Sequence, residues 1–291
     1  VGHAVTVLQF SHLIRGDLER VTTLKEEAIG RLKTRVTNWY NLRSMRWSLL
    51  YALGACAWLG RWNDAVKYGK EVLELGQLYS DNTFLSAGAS QLAMVYGFKG
   101  ELDRAIEFGE VGVERAITPW DKTVSQAILA WVMCRAGEWE GNAERLGEIF
   151  EHFRKVPMLS WQITYGHMPV EGYLLAGQHH KARQIAQETV ELADRCGAKW
   201  TLATHHLFLG EIALATNLDE GSLNFEKAIS IFEEIEAENH LALAYSGMGR
   251  LHKQQGNSEQ AREYLTKALE IFERLGTLIE PDKVRTELAE L

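Results

Sequence analysis

A short turn carrying glycine recurs along this chain about every 40 residues, and it usually has a small residue five positions later. The pattern reads Gly60 with Ala65, Gly100 with Ala105, Gly177 with Ala182 and Gly256 with Ala261, and the turn itself returns at Gly137-Glu138-Trp139. A first copy is Gly16-Asp17-Leu18-Glu19, and a degenerate one runs Asn217-Leu218-Asp219-Glu220-Gly221. Such a glycine ends one helix in a left-handed conformation that other residues enter at a cost. The acidic or amide residue after it is placed to cap the next helix, and the small residue marks where the two helices approach most closely. Apolar residues recur at three- and four-residue spacing, no long alternating run suggests a strand, and only four prolines interrupt the chain. Each helix pair leaves an apolar face that only a neighbouring pair covers, so the pairs must stack.

The unit from His240 to Phe272 carries the most complete pattern. Met248-Gly249 stands in its first helix, Gly256 at the turn, and Ala261 and Ala268 in its second helix. The third unit repeats it with Leu92-Ala93, Tyr96, Gly100 and Ala105. These units resemble tetratricopeptide repeats, and the resemblance covers nearly the whole chain as about seven units. It implies an all-α, right-handed superhelical solenoid of about seven antiparallel helix pairs, forming a single domain over 1–291. A capping helix at 281–291, following Pro281, completes it. The sequence opens on Val1 rather than Met, and a fragment of a larger protein is expected.

The period near 40 exceeds the family's usual length of about 34 residues, so both helices are longer by about a turn. Extended repeats of this kind are similar to the helical regions that follow the ATPase or cyclase domains of large bacterial signalling proteins. Examples are class III adenylate/guanylate cyclases and ATP-dependent activators related to the maltose-regulon regulator. The resemblance implies a region that senses an inducer or partner, or restrains the attached domain. Pro169 falls inside the fifth unit's first helix, which should kink or restart there. With Pro157 upstream, residues 155–169 are expected to make an irregular connection and a bend.

Charge and motifs narrow the function. The net charge is -8 and the pI about 5.7, without the basic stripe that a nucleic-acid surface needs. The stretch from Phe84 to Phe98 is too short and too polar to span a bilayer. Cys56, Cys134 and Cys196 are odd in number and widely spaced, and they read as buried free thiols in a reducing cytoplasm. No phosphate loop, dinucleotide fingerprint, HExxH or GxSxG is present, and no nucleophile stands out, so neither enzymatic activity nor a cofactor is expected. The pairs His179-His180 and His205-His206 read as surface or interhelical residues rather than metal ligands, because neighbours on a helix diverge by about 100 degrees. The cluster Glu233, Glu234, Glu236 and Glu238 reads as a solvated face.

The nine tryptophans sort by repeat position. Trp120, Trp161 and Trp200 recur near the starts of first helices and read as wedges between repeats. Trp62 and Trp139 each follow a turn glycine by two residues and should pack the turn. In stacked helix pairs the first helices line the inner wall. Its columns are aromatic and apolar in the front half (Trp47, Trp58, Met94, Phe98, Trp131) and polar behind (Arg135, His167, Glu171). These eight residues are the candidate contacts for a partner, against the alternative that they pack on one another. The favoured reading is a regulatory module binding a peptide, a protein segment or an intramolecular effector domain. The rival is a sensor for a small-molecule inducer, with an enclosed pocket near Trp47, Trp58 and Trp131. Homodimer formation is compatible with either.

Overall fold

The computed structural model describes residues 2–33, 39–156, 159–216 and 218–291. Among them the regular structure is sixteen α-helices and no strand. The chain divides into two compact units, residues 1–132 and 133–291.

The first unit holds α1 (Gly2–Arg15), α2 (Leu18–Lys33), α3 (Trp39–Trp58), α4 (Trp62–Leu78), α5 (Asn82–Lys99), α6 (Leu102–Arg115) and most of α7 (Pro119–Arg135). From α1 to α6 successive helices pack as antiparallel neighbours, and the first helices α1, α3 and α5 also touch in series. The second unit opens on the end of α7 and continues through α8 (Asn142–Lys155), α9 (Leu159–Tyr165), α10 (His167–Leu175) and α11 (His179–Cys196). It is completed by α12 (Lys199–Leu214), α13 (Leu218–Glu234), α14 (Glu238–Gln254), α15 (Ser258–Leu275) and α16 (Glu280–Ala289). Here α10, α12 and α14 form the inner series.

Every turn glycine expected from the repeat is left-handed, with φ of 78° at Gly16, 74° at Gly60, 90° at Gly100, 94° at Gly137, 70° at Gly177 and 78° at Gly256. Around each, the next residue's N–H reaches back five positions, as in Glu101 N to Tyr96 O (2.9 Å) and Asn257 N to His252 O (2.8 Å). That closure satisfies carbonyls the helix end leaves open. The small residues Ala65, Ala105, Ala182 and Ala261 are fully buried. Asn217, in the degenerate turn, lies outside the described residues.

The two helix types differ in burial, and sequence explains it. Second helices carry one apolar stripe: Gly221, Phe225, Ala228 and Phe232 on α13, and Ala261, Leu265, Ala268 and Phe272 on α15. First helices such as α5 and α12 are covered on most sides and are correspondingly small and apolar. At Gly249 a Cβ would lie 2.6 Å from Leu265 Cγ, so only glycine lets α14 and α15 approach this closely.

Three expectations need correction. The residue after the turn glycine does not cap the next helix: Arg61, Glu101, Gln178 and Asn257 make no side-chain cap bond. The backbone closure already sets that residue's conformation, and the Glu101 carboxylate instead binds Lys99 and Arg104. A side-chain cap occurs at the opposite connection, where Asp81 accepts from Thr83 N (2.8 Å) and Phe84 N (3.4 Å). Trp139 is 45% exposed rather than packed on its turn, whereas Trp62 is buried. Cys196 ends α11 and is exposed; Cys56 and Cys134 are buried, and all three are free.

The fifth unit's first helix restarts as the sequence implies. It breaks between α9 and α10 at Gly166, which places Pro169 in the first turn of α10, where its missing N–H leaves no helical bond unmade. Pro157 lies outside the described residues. Pro281 likewise begins α16, whose Val284 closes over Ala242, Leu265, Ala268 and Phe272. No helix among the described residues is long and apolar enough to cross a membrane.

Candidate functional site

In the first unit the aromatic column folds inward. Trp131 is fully buried, Phe98, Met94 and Trp58 are 5–8% exposed, and Trp47 is half-buried. Phe98 meets Trp131 edge-on with ring centroids 5.0 Å apart. Trp131 also closes over Gly97, where a Cβ would stand 2.7 Å from the indole. Trp47 stacks on Tyr51 at 5.7 Å, and Tyr51 continues to Phe10 at 5.4 Å. Burial pushes the Tyr51 phenol up to about 12. The five apolar candidates therefore divide into four buried residues and one, Trp47, that reaches the surface.

In the second unit the inner helices carry charge. Arg135 of α7 pairs with Glu171 of α10, both side chains about 15% exposed. Glu211 of α12 pairs with Arg250 of α14 at 2.6 Å, and Lys253 of α14 reaches Glu287 (2.7 Å) and Glu290 (2.5 Å) around α16. Each bond joins one first helix to the next helix along the inner series. Glu211 holds the Arg250 guanidinium charged, raising its affinity for the proton above the ordinary value.

His167, the remaining candidate, is 2% exposed. Its Nδ1 lies 3.1 Å from Thr164 O and so carries the proton as donor. Its ring meets Trp200 edge-on at 5.2 Å, and Trp200 meets His240 at 5.1 Å. Trp200 is thus the wedge expected between repeats, while Trp120 and Trp161 are only half-buried. His205, fully buried, sits in the same neighbourhood with Nδ1 2.7 Å from Thr201 O. Burial, the first cause in each case, holds these imidazoles neutral: His167 at about 3, His205 at about 4 and His240 at about 3. Sequence spacing gave no sign of this cluster, because its members occupy different repeat positions and meet only once α10, α12 and α14 are side by side. Among the described residues no group of three or more His, Cys, Asp or Glu side chains is arranged to hold a metal ion.

The remaining features are solvated. Glu233, Glu234 and Glu236 are exposed, with Glu233 accepting from Tyr245 Oη (2.7 Å) and Glu234 paired with Lys199 (2.6 Å). A shallow depression of about 430 Å³ on α4, lined by Asn63, Lys67, Lys70 and Glu74 among others, includes none of the candidate residues.

The tetratricopeptide repeat family model matches residues 201–274, from α12 into α15. A search of curated proteins returns no match. Among solved structures the chain is similar to a Rap protein complexed with competence and sporulation factor (13% identity, 99% of this chain, 80% of that chain, TM-score 0.66). It is also similar to a signal transduction ATPase with numerous domains that carries a tetratricopeptide repeat sensor, from Pyrococcus horikoshii (15% identity, 92% of this chain, TM-score 0.53). The present chain spans 43% of that ATPase. A third is aspartyl phosphate phosphatase F from Bacillus subtilis (14% identity, 98% of this chain, 78% of that chain, TM-score 0.52). At these identities the likeness establishes the fold, a tetratricopeptide-like helical-repeat solenoid, and leaves function to the site.

Proposed function

We propose that this chain is a regulatory interaction module, performing no chemistry itself, that binds a peptide or protein segment along the inner helices of its second unit. The contacts are the Arg135–Glu171 and Glu211–Arg250 pairs. The observation that carries this reading is the presence of half-shielded ion pairs in columns that elsewhere hold apolar or small residues, Gln254 excepted. Partly desolvated pairs add little net stability compared with apolar packing. They do supply charge that a polypeptide's ends and side chains can exchange with. The Rap structure complexed with competence and sporulation factor and the repeat sensor of the ATPase support such a role by fold likeness. In the fuller form of the proposal the bound segment belongs to an attached ATPase or nucleotide-cyclase domain, and binding shifts that domain between states.

The small-molecule reading is less well supported. A ring-stacking ligand at Trp131 would first have to displace Phe98 and part α5 from α7, because the indole is already closed over Gly97. Of the first-unit candidates, Trp58, Met94, Phe98 and Trp131 serve as packed core, and Trp47 stands outside the proposed wall.

The test is a random hexapeptide library screened by fluorescence anisotropy against the wild type, Glu171→Gln and Arg250→Met. Peptides bound by the wild type should weaken by about tenfold, about 1.4 kcal/mol, in Arg250→Met with helical circular dichroism unchanged. Equal affinity in all three proteins, or no bound sequence at all, would remove the proposal.

A further inference from the structure

We propose that Arg46 anchors an oxyanion site in the first unit, taking the carboxylate or phosphate group of a small ligand. The site is separate from the peptide-binding wall proposed above and does not depend on it.

The first observation is the wrong residue type in a repeated place. Arg46 stands fourteen positions before the turn glycine Gly60. The corresponding positions before Gly100, Gly137, Gly177 and Gly256 hold Ser86, Thr123, Ile163 and Ala242. Ser86, Ile163 and Ala242 are buried, at 1%, 5% and 0% exposure, and Thr123 is half-buried. Equivalent positions in a repeat fold share one environment. A guanidinium in this column therefore enters a place built for small or uncharged side chains.

The second observation is that the guanidinium has no ion-pair partner among the described residues. Arg46 is 7% exposed, and its Nε is buried with no hydrogen bond. Among the described residues no carboxylate forms an ion pair with it, whereas Arg61, Arg104, Arg154, Arg183, Arg250 and Arg274 each hold one. The nearby acids Asp81 and Asp121 act on it through charge alone and accept hydrogen bonds from neutral donors. Asp81 caps α5 through Thr83 N, and Asp121 takes the Thr118 hydroxyl at 2.7 Å. Arg43 adds like charge. Burial, the largest influence, lowers the guanidinium's hold on its proton, and the charges of Asp121 and Asp81 offset it only in part.

The third observation gives the ligand chemistry. The guanidinium carbon lies 5.1 Å from the Phe84 ring and 5.2 Å from the Trp47 ring. Those contacts engage the cation through aromatic faces and leave at least the buried Nε–H without an acceptor. A planar fork of donors flanked by aromatic rings matches two oxygens of a carboxylate or phosphate. Trp47 is half-buried and next to the fork, so an occupant would change its emission.

The test titrates the full chain with sodium phosphate and with sodium acetate, using chloride to hold ionic strength constant. Melting temperature and tryptophan emission are both followed. The wild type should show a saturable rise in melting temperature with at least one oxyanion, and a matching emission change. Arg46→Met should lose both responses while melting no lower than the ligand-free wild type, because an unpaired buried cation has been removed. Arg46→Lys should retain charge but bind at least tenfold more weakly, lacking the two-pronged donor set. A response to phosphate alone assigns a phosphate ligand, and one to acetate alone a carboxylate. No saturable response in the wild type overturns the site, as does an unchanged response in Arg46→Met. If Arg46→Met fails to fold, an Arg46→Lys affinity equal to that of the wild type overturns it.

Discussion

Burial and protonation are tied together at His167, His205 and His240. The three are neutral in the fold because burial disfavours the charged ring, with smaller contributions from His205 and His240 on His167, from His206 on His205 and from Arg135 on His240. Their folded-state values of about 3, 4 and 3 lie below the ordinary 6.5, so between those limits the unfolded chain binds protons that the folded chain refuses. The stabilisation is therefore complete above about pH 6.5 and is lost as pH falls toward 4, with a slope approaching about 1.4 kcal/mol per pH unit for each histidine. Urea midpoints followed by helical circular dichroism should fall steeply from pH 7 to pH 5. His205→Asn keeps a donor near the Nδ1 position but cannot take up a proton, and should flatten that slope by about a third. An unchanged slope would assign the acid sensitivity to other groups. None of this was legible in the sequence, where His205-His206 was visible only as an adjacent pair and His240 only as the start of a repeat. Arg46 was hidden for a related reason: its column faces a neighbouring helix, and a sequence does not say which of its charges finds a partner.

At the scale of the element, backbone conformation decides stability at the connections. A left-handed alanine costs about 1–2 kcal/mol, so Gly100→Ala should lower stability by that amount without altering the Ala105 contact. Ile279, just before α16, presents the reverse case. Its φ of 69° and ψ of -54° form a tight turn in which Glu280 N meets Leu278 O at 2.8 Å. A β-branched side chain is strained in that region. Ile279 is also 39% exposed, so little burial is lost on removing it. Ile279→Gly should therefore raise the melting temperature, by the equivalent of about 1 kcal/mol after glycine's own entropy cost. A lower melting temperature would mean that Ile279 packing outweighs the strain. The glycine turns were legible because only one residue type enters that conformation freely, and the restart at Pro169 because proline lacks an N–H. The Asp81 cap and Ile279 carried no comparable signature. The residues after the turn glycines misled because an acid or amide there resembles a cap, although the backbone closure has already fixed the helix start.

The whole molecule follows the logic of a repeat array, in which each helix pair is stabilised by its own packing and by its immediate neighbours. Pro281 announced the last helix, but the division at Val132 and Met133 left no trace in composition, because it falls inside α7 where neither glycine nor proline marks it. Nearest-neighbour stabilisation makes a spatially graded prediction for α16. Its Val284 covers Ala242, Leu265, Ala268 and Phe272, all fully buried, while Lys253 of α14 binds Glu287 and Glu290. Removing residues 280–291 uncovers that apolar cluster and leaves Lys253 without either acid. Amide exchange in α14 and α15 should then accelerate toward the rates of a frayed terminus. Helices α3 to α5, in the first unit, should keep their protection. Hydrogen-exchange mass spectrometry on the shortened and full chains separates this from the alternative. An equal loss of protection in α3 and α15 would mean that the chain unfolds as one cooperative block, and the repeat-by-repeat account of its stability would have to be given up.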